Sequence, residues 1–274
     1  GFWKNIYEPL IRRSAGLGKP PKNFRSKSIH QNHNTDILII GAGLSGLIAA
    51  RKFVNTKYKV LIIEQDSFLG GILKNSNKVD TINGLNSSEW LKETEKLLSK
   101  AQNIKILRNT LVTTYNFTNH LVALEDKFAG KKIDLNKSEL TLHKIRTSNT
   151  ILCNGHIERF ISFRNNDLPG VMLASSFEKY IHRYGVVPEE RPVIFTNNSS
   201  SMSLLNSMLS LGCKPEAYVD SRKKEEIETD IKKILKENNI PSYFDAEIEG
   251  CDGNKKIEKI TIRQGKIFIK IKSS

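Results

Sequence analysis

Gly41, Gly43 and Gly46 stand between an apolar run, "DILII" at residues 36–40, and a stretch of helix-forming composition at 44–54 with Leu47, Ile48 and Phe53 as its apolar residues. In a strand–turn–helix unit the first glycine permits the tight turn. The second lets bare backbone approach a pyrophosphate, and the third lets helix and strand pack closely. The N–H groups at the start of the helix and the helix dipole then favour negative charge. Glu64 closes "KVLIIE", 23 residues after Gly41, where a carboxylate accepts hydrogen bonds from a ribose and repels a 2′-phosphate, which favours NAD over NADP. Gly70-Gly71 in "GGILK" supply a second close approach of backbone. This is the chemistry of holding a dinucleotide; no residues for bond making accompany it. His156, Glu158 and Arg159 invite an acid–base reading, yet no nucleophile or metal set stands with them, and a Glu158–Arg159 salt bridge fixing the crossover between lobes is expected instead. His30 and His33 in "HQNHN" are expected to lie solvated in a polar linker, with no third ligand at zinc spacing. Catalytic and metal-ligating residues are therefore assigned to none.

The elements around the turn follow the same pattern. Residues 86–100 read as a helix with Trp90, Leu91, Leu97 and Leu98 on one face and Ser88 placed to cap it. Residues 104–107 read as another parallel strand. "LVTTYNF", "HLVALE" and "SELTLHKIR" read as an antiparallel meander before "NTILCNG" returns a buried strand to a turn at Asn154-Gly155.

Adding 156 to each position superposes "DILIIGAGLSG" on "PVIFTNNSSSM" and Glu64 on Asp220. Strand, turn, helix and acidic strand end are spaced alike in both copies, but Gly41, Gly43 and Gly46 become Asn197, Ser199 and Met202. A side chain stands where a pyrophosphate must come close, so the second copy is expected to serve packing and only one dinucleotide is expected. Asn197, Asn198 and the serines read first as a helix cap. Further on, residues 204–211 and 225–238 read as helices and 244–249, 257–262 and 266–270 as strands, with "CDGN" as a hairpin turn.

Composition bounds the alternatives. The 274 residues carry a formal charge of +14, with 43 Lys and Arg against 29 Asp and Glu. Lysine is spread along the whole chain beside abundant Asn and Ile, without the Arg-and-aromatic stripe of a nucleic-acid surface, so no nucleic-acid partner is expected. No apolar run approaches a membrane span, and a cytoplasmic protein without membrane contact is expected. Cys153, Cys213 and Cys251 form no C-x-x-C, which disfavours a disulfide reductase. Methionine occurs only at 172, 202 and 208 and the chain opens on Gly1, as expected of a piece of something longer. No Gly-Asp pair occurs, although two-lobed enzymes of this type place one near the dinucleotide after the chain returns to the first lobe.

Three stretches carry a more specific likeness: "GFWKNIYEPLIRRSAGLG" (1–18), "NGHIERFISFRNNDLPGVMLASSFEKYIHRYGVVP" (154–188), and "VIFTNNSSSM" (193–202) with "YVDSR" (218–222). They resemble the alpha subunit of heterotetrameric sarcosine oxidase, in the section after its N-terminal ferredoxin-like region. The resemblance implies an α/β chain with two Rossmann-like βαβ lobes of the two-dinucleotide-binding flavoprotein and pyridine-nucleotide oxidoreductase type, the second lobe degenerate. It also implies a connecting segment at 1–34, a dinucleotide domain at 35–160, a crossover at 161–190 and a truncated second lobe at 191–274. In that family the glycine turn carries NAD. Carried over by motif, Gly41, Gly43, Leu44, Gly46, Glu64, Gln65, Gly71, Val112 and Gly155 would contact it. "YNFTNH" matches the family's "YDHN" only loosely, and Cys153-Asn154-Gly155 replaces its Ala-Thr-Gly. The wider complex would include beta, gamma and delta subunits, with FMN, FAD and tetrahydrofolate held in that complex and not on this fragment alone, the flavins on beta and at its interface with alpha. The complex would oxidise a small-molecule amine, sarcosine, to glycine, giving hydrogen peroxide and formaldehyde or methylene-tetrahydrofolate. Trp3, Tyr7, Leu10 and Ile11 would anchor either a partner subunit or their own lobe. Two other readings stay open: a self-contained FAD-dependent amine or amino-acid dehydrogenase, and a non-enzymatic scaffold subunit.

Overall fold

A computed structural model describes residues 2–16, 27–74, 81–116, 118–126 and 139–272. The chain divides into two compact units that are not contiguous in sequence. One comprises Gly1–Ala42, Ala49–Phe68 and Ser99–Cys153; the other comprises Gly43–Ile48, Leu69–Leu98 and Asn154–Ser274. The division after Ala42 falls within the first glycine turn.

The first unit opens with a π-helical turn, Trp3–Tyr7, that runs into α1 (Glu8–Ser14). Arg12 Nε donates to Glu8 Oε1 at 3.0 Å one turn away, and none of the described helical residues is buried. Trp3 is 65% exposed, and Tyr7, Leu10 and Ile11 are also exposed. Their apolar surface is not packed on their own lobe, one of the two outcomes left open.

A six-stranded sheet follows, built from β1 (Lys27–Ile40), β2 (Val60–Ile63), β5 (Ile104–Leu107), β6 (Thr110–Asn116), β7 (His120–Asp126) and β8 (Glu139–Leu152). Their order is β5-β2-β1-β8-β7-β6. The first four are parallel and the last two antiparallel. All four residues of β2 are buried, as expected of a strand covered on both faces. Leu38, Leu61, Ile63, Leu107, Leu121, Ala123 and Ile145 close the core of this unit.

Two expectations are corrected. The third meander strand and the buried strand returning to Asn154 are a single 14-residue strand, β8, paired with β1 from Lys27↔Glu139 to Ile40↔Leu152. Its first half alternates, with Thr141, His143, Ile145 and Thr147 buried, the pattern of a half-buried strand. The polar linker at "HQNHN" is the opening half of β1. Pairing along its edge supplies the backbone hydrogen bonds that the side-chain pattern alone did not announce.

In the second unit a hairpin, β3 (Thr81–Ile82) and β4 (Leu85–Asn86), turns on Asn83 and Gly84, both at positive φ, as an Asn-Gly turn allows. α3 (Ser87–Lys100) follows. Its cap is the Asn86 side chain, whose Oδ1 accepts from Glu89 N–H at 2.9 Å and from the Ser88 hydroxyl at 2.9 Å; Ser88 serves the cap rather than being it. Trp90, Leu91, Thr94 and Leu98 form its buried stripe. α4 (Ala174–Tyr184) ends at Gly185 in the left-handed region. The parallel sheet of β9 (Val193–Thr196), β10 (Ala217–Asp220) and β11 (Ser242–Phe244), ordered β11-β10-β9, packs with α5 (Ser201–Ser210) and α6 (Thr229–Glu237). Ile194, Leu204, Leu205, Met208, Tyr218, Ile231 and Leu235 form the shared core. The antiparallel sheet of β12 (Glu247–Asp252), β13 (Lys259–Gln264) and β14 (Ile267–Lys272) completes the unit. The strand read at 244–249 is broken at Asp245, which has positive φ. No helix of the described residues is long and apolar enough to cross a membrane.

Candidate functional site

The end of β1 delivers the chain into the glycine turn under tight hydrogen-bond control. Gly41 N–H donates to Ile63 C=O at 2.8 Å, and Gly41 has φ +95°, a conformation that only glycine adopts without strain. Ala42 N–H donates to Glu64 Oε2 at 2.7 Å, and Asp66 N–H donates to Glu64 Oε1 at 2.9 Å. Glu64 is buried, so two backbone donors fix its carboxylate while each oxygen keeps a second lone pair for a ligand hydroxyl. Gln65, the next residue, is exposed. Val112 on β6 lies opposite Ala123 and packs against the core of the first unit.

Beyond Ala42 the turn continues into α2 (Leu44–Lys52), whose first hydrogen bond runs from Leu47 N–H to Gly43 C=O at 3.0 Å. The N–H groups ahead of Leu47 have no partner within the helix, as at every helix start. A Cβ on Gly43 would meet nothing within 4 Å, so the protein leaves open the space a pyrophosphate needs there. Gly43 pairs with Gly70 in an isolated parallel bridge, and a Cβ on Gly71 would come within 3.1 Å of Gly43 Cα. The double glycine thus lets two backbones meet. Leu44 opens the helix half-buried and Gly46 is buried. Gly155 has φ +70° and is exposed. Within the first unit a fixed carboxylate stands at the strand end, and within the second bare backbone and helix-start donors stand at Gly43; each by itself is a feature that dinucleotide binding uses.

The second turn is built differently. Asp220, at the end of β10, is fully buried and receives three bonds from Arg222: N–H at 2.9 Å and Nε at 3.1 Å to Oδ1, and Nη2 at 2.9 Å to Oδ2. Arg222 Nη1 lies 3.3 Å from Ser199 Oγ and 3.4 Å from Glu228 Oε2, and Ser199 also donates to Glu228. The carboxylate that would face a ribose is spent on an arginine two residues away, and that arginine reaches to the turn residue replacing Gly43. Its hydrogen bonds to Asp220 hold the guanidinium pKa above the usual arginine range. The Ser199 hydroxyl, and then Arg222, hold Glu228 below the usual carboxylate range. Burial pushes the Tyr218 hydroxyl, which contacts Ser201 and Asp220, up to about 12. Asn198 Oδ1 accepts from Ser200 N–H at 2.9 Å in a turn ahead of α5, but the N-cap residue Ser200 makes no side-chain cap bond, so the helix cap read from the sequence is not formed. The Arg222 plug was not read, although "VDSR" placed a cation just past the acidic strand end.

The expected Glu158–Arg159 salt bridge is not formed. Glu158 instead accepts from Ala174 N–H at 3.2 Å and Ser175 N–H at 2.7 Å, capping α4, where helix-start donors outcompete an exposed side chain. His156 and Arg159 are exposed. Among the described residues no three His, Cys, Asp or Glu side chains are arranged to hold a metal ion.

Residues 39–86 match the family of NAD(P)-binding Rossmann-like domains. Solved structures of like fold include L-proline dehydrogenase from P. horikoshii, with TM-score 0.58 and 18% identity, covering 91% of this chain and 42% of that one. Thioredoxin reductase from T. acidophilum gives TM-score 0.60 and 15% identity, covering 88% and 74%. At this identity they speak for the fold. The resemblance to sarcosine oxidase subunit alpha is borne out: the Rhizobium meliloti (strain 1021) protein is 31% identical over 272 residues, 96% of this chain. The Corynebacterium sp. (strain P-1) protein is 30% identical over 225 residues, 80% of this chain. The chain spans about a quarter of the length of these curated relatives, 26% and 22%.

Proposed function

We propose that this chain is the NAD-binding region of the alpha subunit of a multisubunit sarcosine oxidase, with amine oxidation carried out on the beta subunit. The observation that carries the reading is the buried Glu64 carboxylate held by Ala42 N–H and Asp66 N–H at the strand end. The similarity to sarcosine oxidase subunit alpha along 96% of the chain supports the choice of complex.

In this reading Gly43, Leu44 and Gly46 present backbone donors and close packing to the diphosphate. Glu64 accepts the adenosine ribose hydroxyls and disfavours a 2′-phosphate by charge repulsion. Gly71, Gln65, Val112 and Gly155 would complete the contacts. A bound nicotinamide supplies hydride chemistry. The chain's own part is to bind, orient and exclude NADP. The exposed Trp3, Tyr7, Leu10 and Ile11 supply surface for the other subunits, beta, gamma and delta.

A second reading is FAD in the same turn, since a protein of like fold is itself a flavoprotein disulfide reductase. Calorimetric titration with NAD, NADP and FAD separates the two. Saturable binding of NAD with much weaker NADP supports the first reading. Yellow protein carrying FAD, with no response to NAD, overturns it.

A further inference from the structure

Three titratable side chains on β1, β8 and β7 form a line that dinucleotide binding leaves unused. His33 Nε2 lies 2.8 Å from His143 Nδ1, and His143 Nε2 lies 3.0 Å from Glu125 Oε2. His143 has no exposed surface, whereas His33 is half-buried and the Glu125 side chain keeps 21% of its surface exposed. The line crosses the seam of the sheet, where β8 pairs in parallel with β1 on one side and antiparallel with β7 on the other.

The proton arrangement follows from which atoms can donate. An ionised carboxylate only accepts, so His143 Nε2 carries a hydrogen. In a neutral ring Nδ1 then accepts, and the hydrogen between the rings belongs to His33 Nε2. One extra proton is tolerated, since either ring becomes the cation and the other turns its bare nitrogen toward it. A second extra proton sets N–H against N–H across 2.8 Å, with two positive charges facing one carboxylate.

We propose that His33, His143 and Glu125 form an acid-released latch that fastens the antiparallel strands β7 and β6 to the parallel sheet: closed while the two rings share at most one extra proton, released by a second. The surrounding charges agree. Burial, then Lys105 on β5, then His143 lower the His33 pKa from its ordinary 6.5. Glu125 on β7 is the anion facing the pair, and Lys105 is the cation acting on His33 among the described residues. Because the folded-state affinity is lowered, the unfolded chain binds more protons below pH 6.5. The latch's contribution is therefore present above that pH and is lost as pH falls. This inference does not rest on the proposed cofactor.

The test uses the full 274-residue chain, comparing wild type with His33→Gln, whose amide still donates to His143 Nδ1 but takes no proton. Thermal unfolding and hydrogen exchange of residues 120–126 are followed from about pH 7.5 to about pH 5, with exchange corrected for its intrinsic pH dependence. In wild type, protection of these amides falls by about tenfold in acid, the effect of losing one buried hydrogen bond, and the melting temperature falls with it. His33→Gln shows a clearly smaller fall in both. An equal fall in wild type and variant overturns the latch. Should the variant not fold, imidazole nitrogen NMR of wild type decides. The latch requires the second proton to enter together with loss of β7 protection; two rings that each gain a proton with β7 unchanged overturn it.

Discussion

Gly43→Ala separates folding from binding. Gly43 lies outside the left-handed region of backbone space, and a Cβ there meets no protein atom within 4 Å. Alanine at such a position narrows the unfolded ensemble and adds about 0.4–1 kcal/mol of stability. The same methyl group fills the space through which a diphosphate reaches the turn. Losing one or two charge-assisted contacts of about 1.5–3 kcal/mol each lowers NAD affinity by at least about tenfold. Gly41→Ala is the contrasting control, because φ +95° strains any side chain at about 1–2 kcal/mol. The assay is paired: calorimetric titration with NAD, and urea or thermal unfolding of the same preparations. The expected pattern is a Gly43→Ala protein as stable as wild type that has lost NAD, beside a Gly41→Ala protein that is less stable. NAD binding by Gly43→Ala within about threefold of wild type, a shift smaller than one lost contact, would refute the reasoning.

Glu64→Gln retains one acceptor but turns an amide nitrogen toward Ala42 N–H or Asp66 N–H, so unfolding measurements should show a loss of about 1–3 kcal/mol. Removing the carboxylate charge also narrows the preference for NAD over NADP by about tenfold, measured by titrating both. Arg222→Ala strands the fully buried Asp220 carboxylate. With Arg222 itself 20% exposed, solvent screening reduces the usual cost to about 2–4 kcal/mol, read by urea unfolding, while NAD affinity stays at the wild-type value. Gly70→Ala forces a Cβ to 2.7 Å from Leu91 Cδ2 at φ +110°. It should destabilise by about 1–3 kcal/mol in the same measurement.

The dinucleotide turn was legible because its signals are local: glycine spacing, a helix start and an acid at a strand end act within one strand–turn–helix unit. The repeat at an offset of 156 was legible for the same reason, and β9, α5 and β10 lie where it placed them. What escaped reading depends on partners far along the chain. "HQNHN" is polar, yet it is strand because β8 pairs with it across about 110 residues, as the His33–His143 contact shows. The Arg222 plug escaped because an arginine after an acidic strand end reads as surface until its geometry with Ser199 and Glu228 is known. Glu158 was matched to its sequence neighbour Arg159, whereas the donors it serves lie 16 and 17 residues on, at the start of α4. The Asn86 cap displaced Ser88 by two positions because either residue type can cap and only the helix start decides.

The most direct test of the central claim is a crystal structure of the chain grown with NAD. The account predicts diphosphate oxygens about 3 Å from the backbone N–H groups at Gly43 and Leu44 and the adenosine ribose hydroxyls on Glu64. A nucleotide seated against Arg222 and Asn198 instead, or an Ala42–Gly46 turn that stays closed to NAD at saturating concentration, contradicts it.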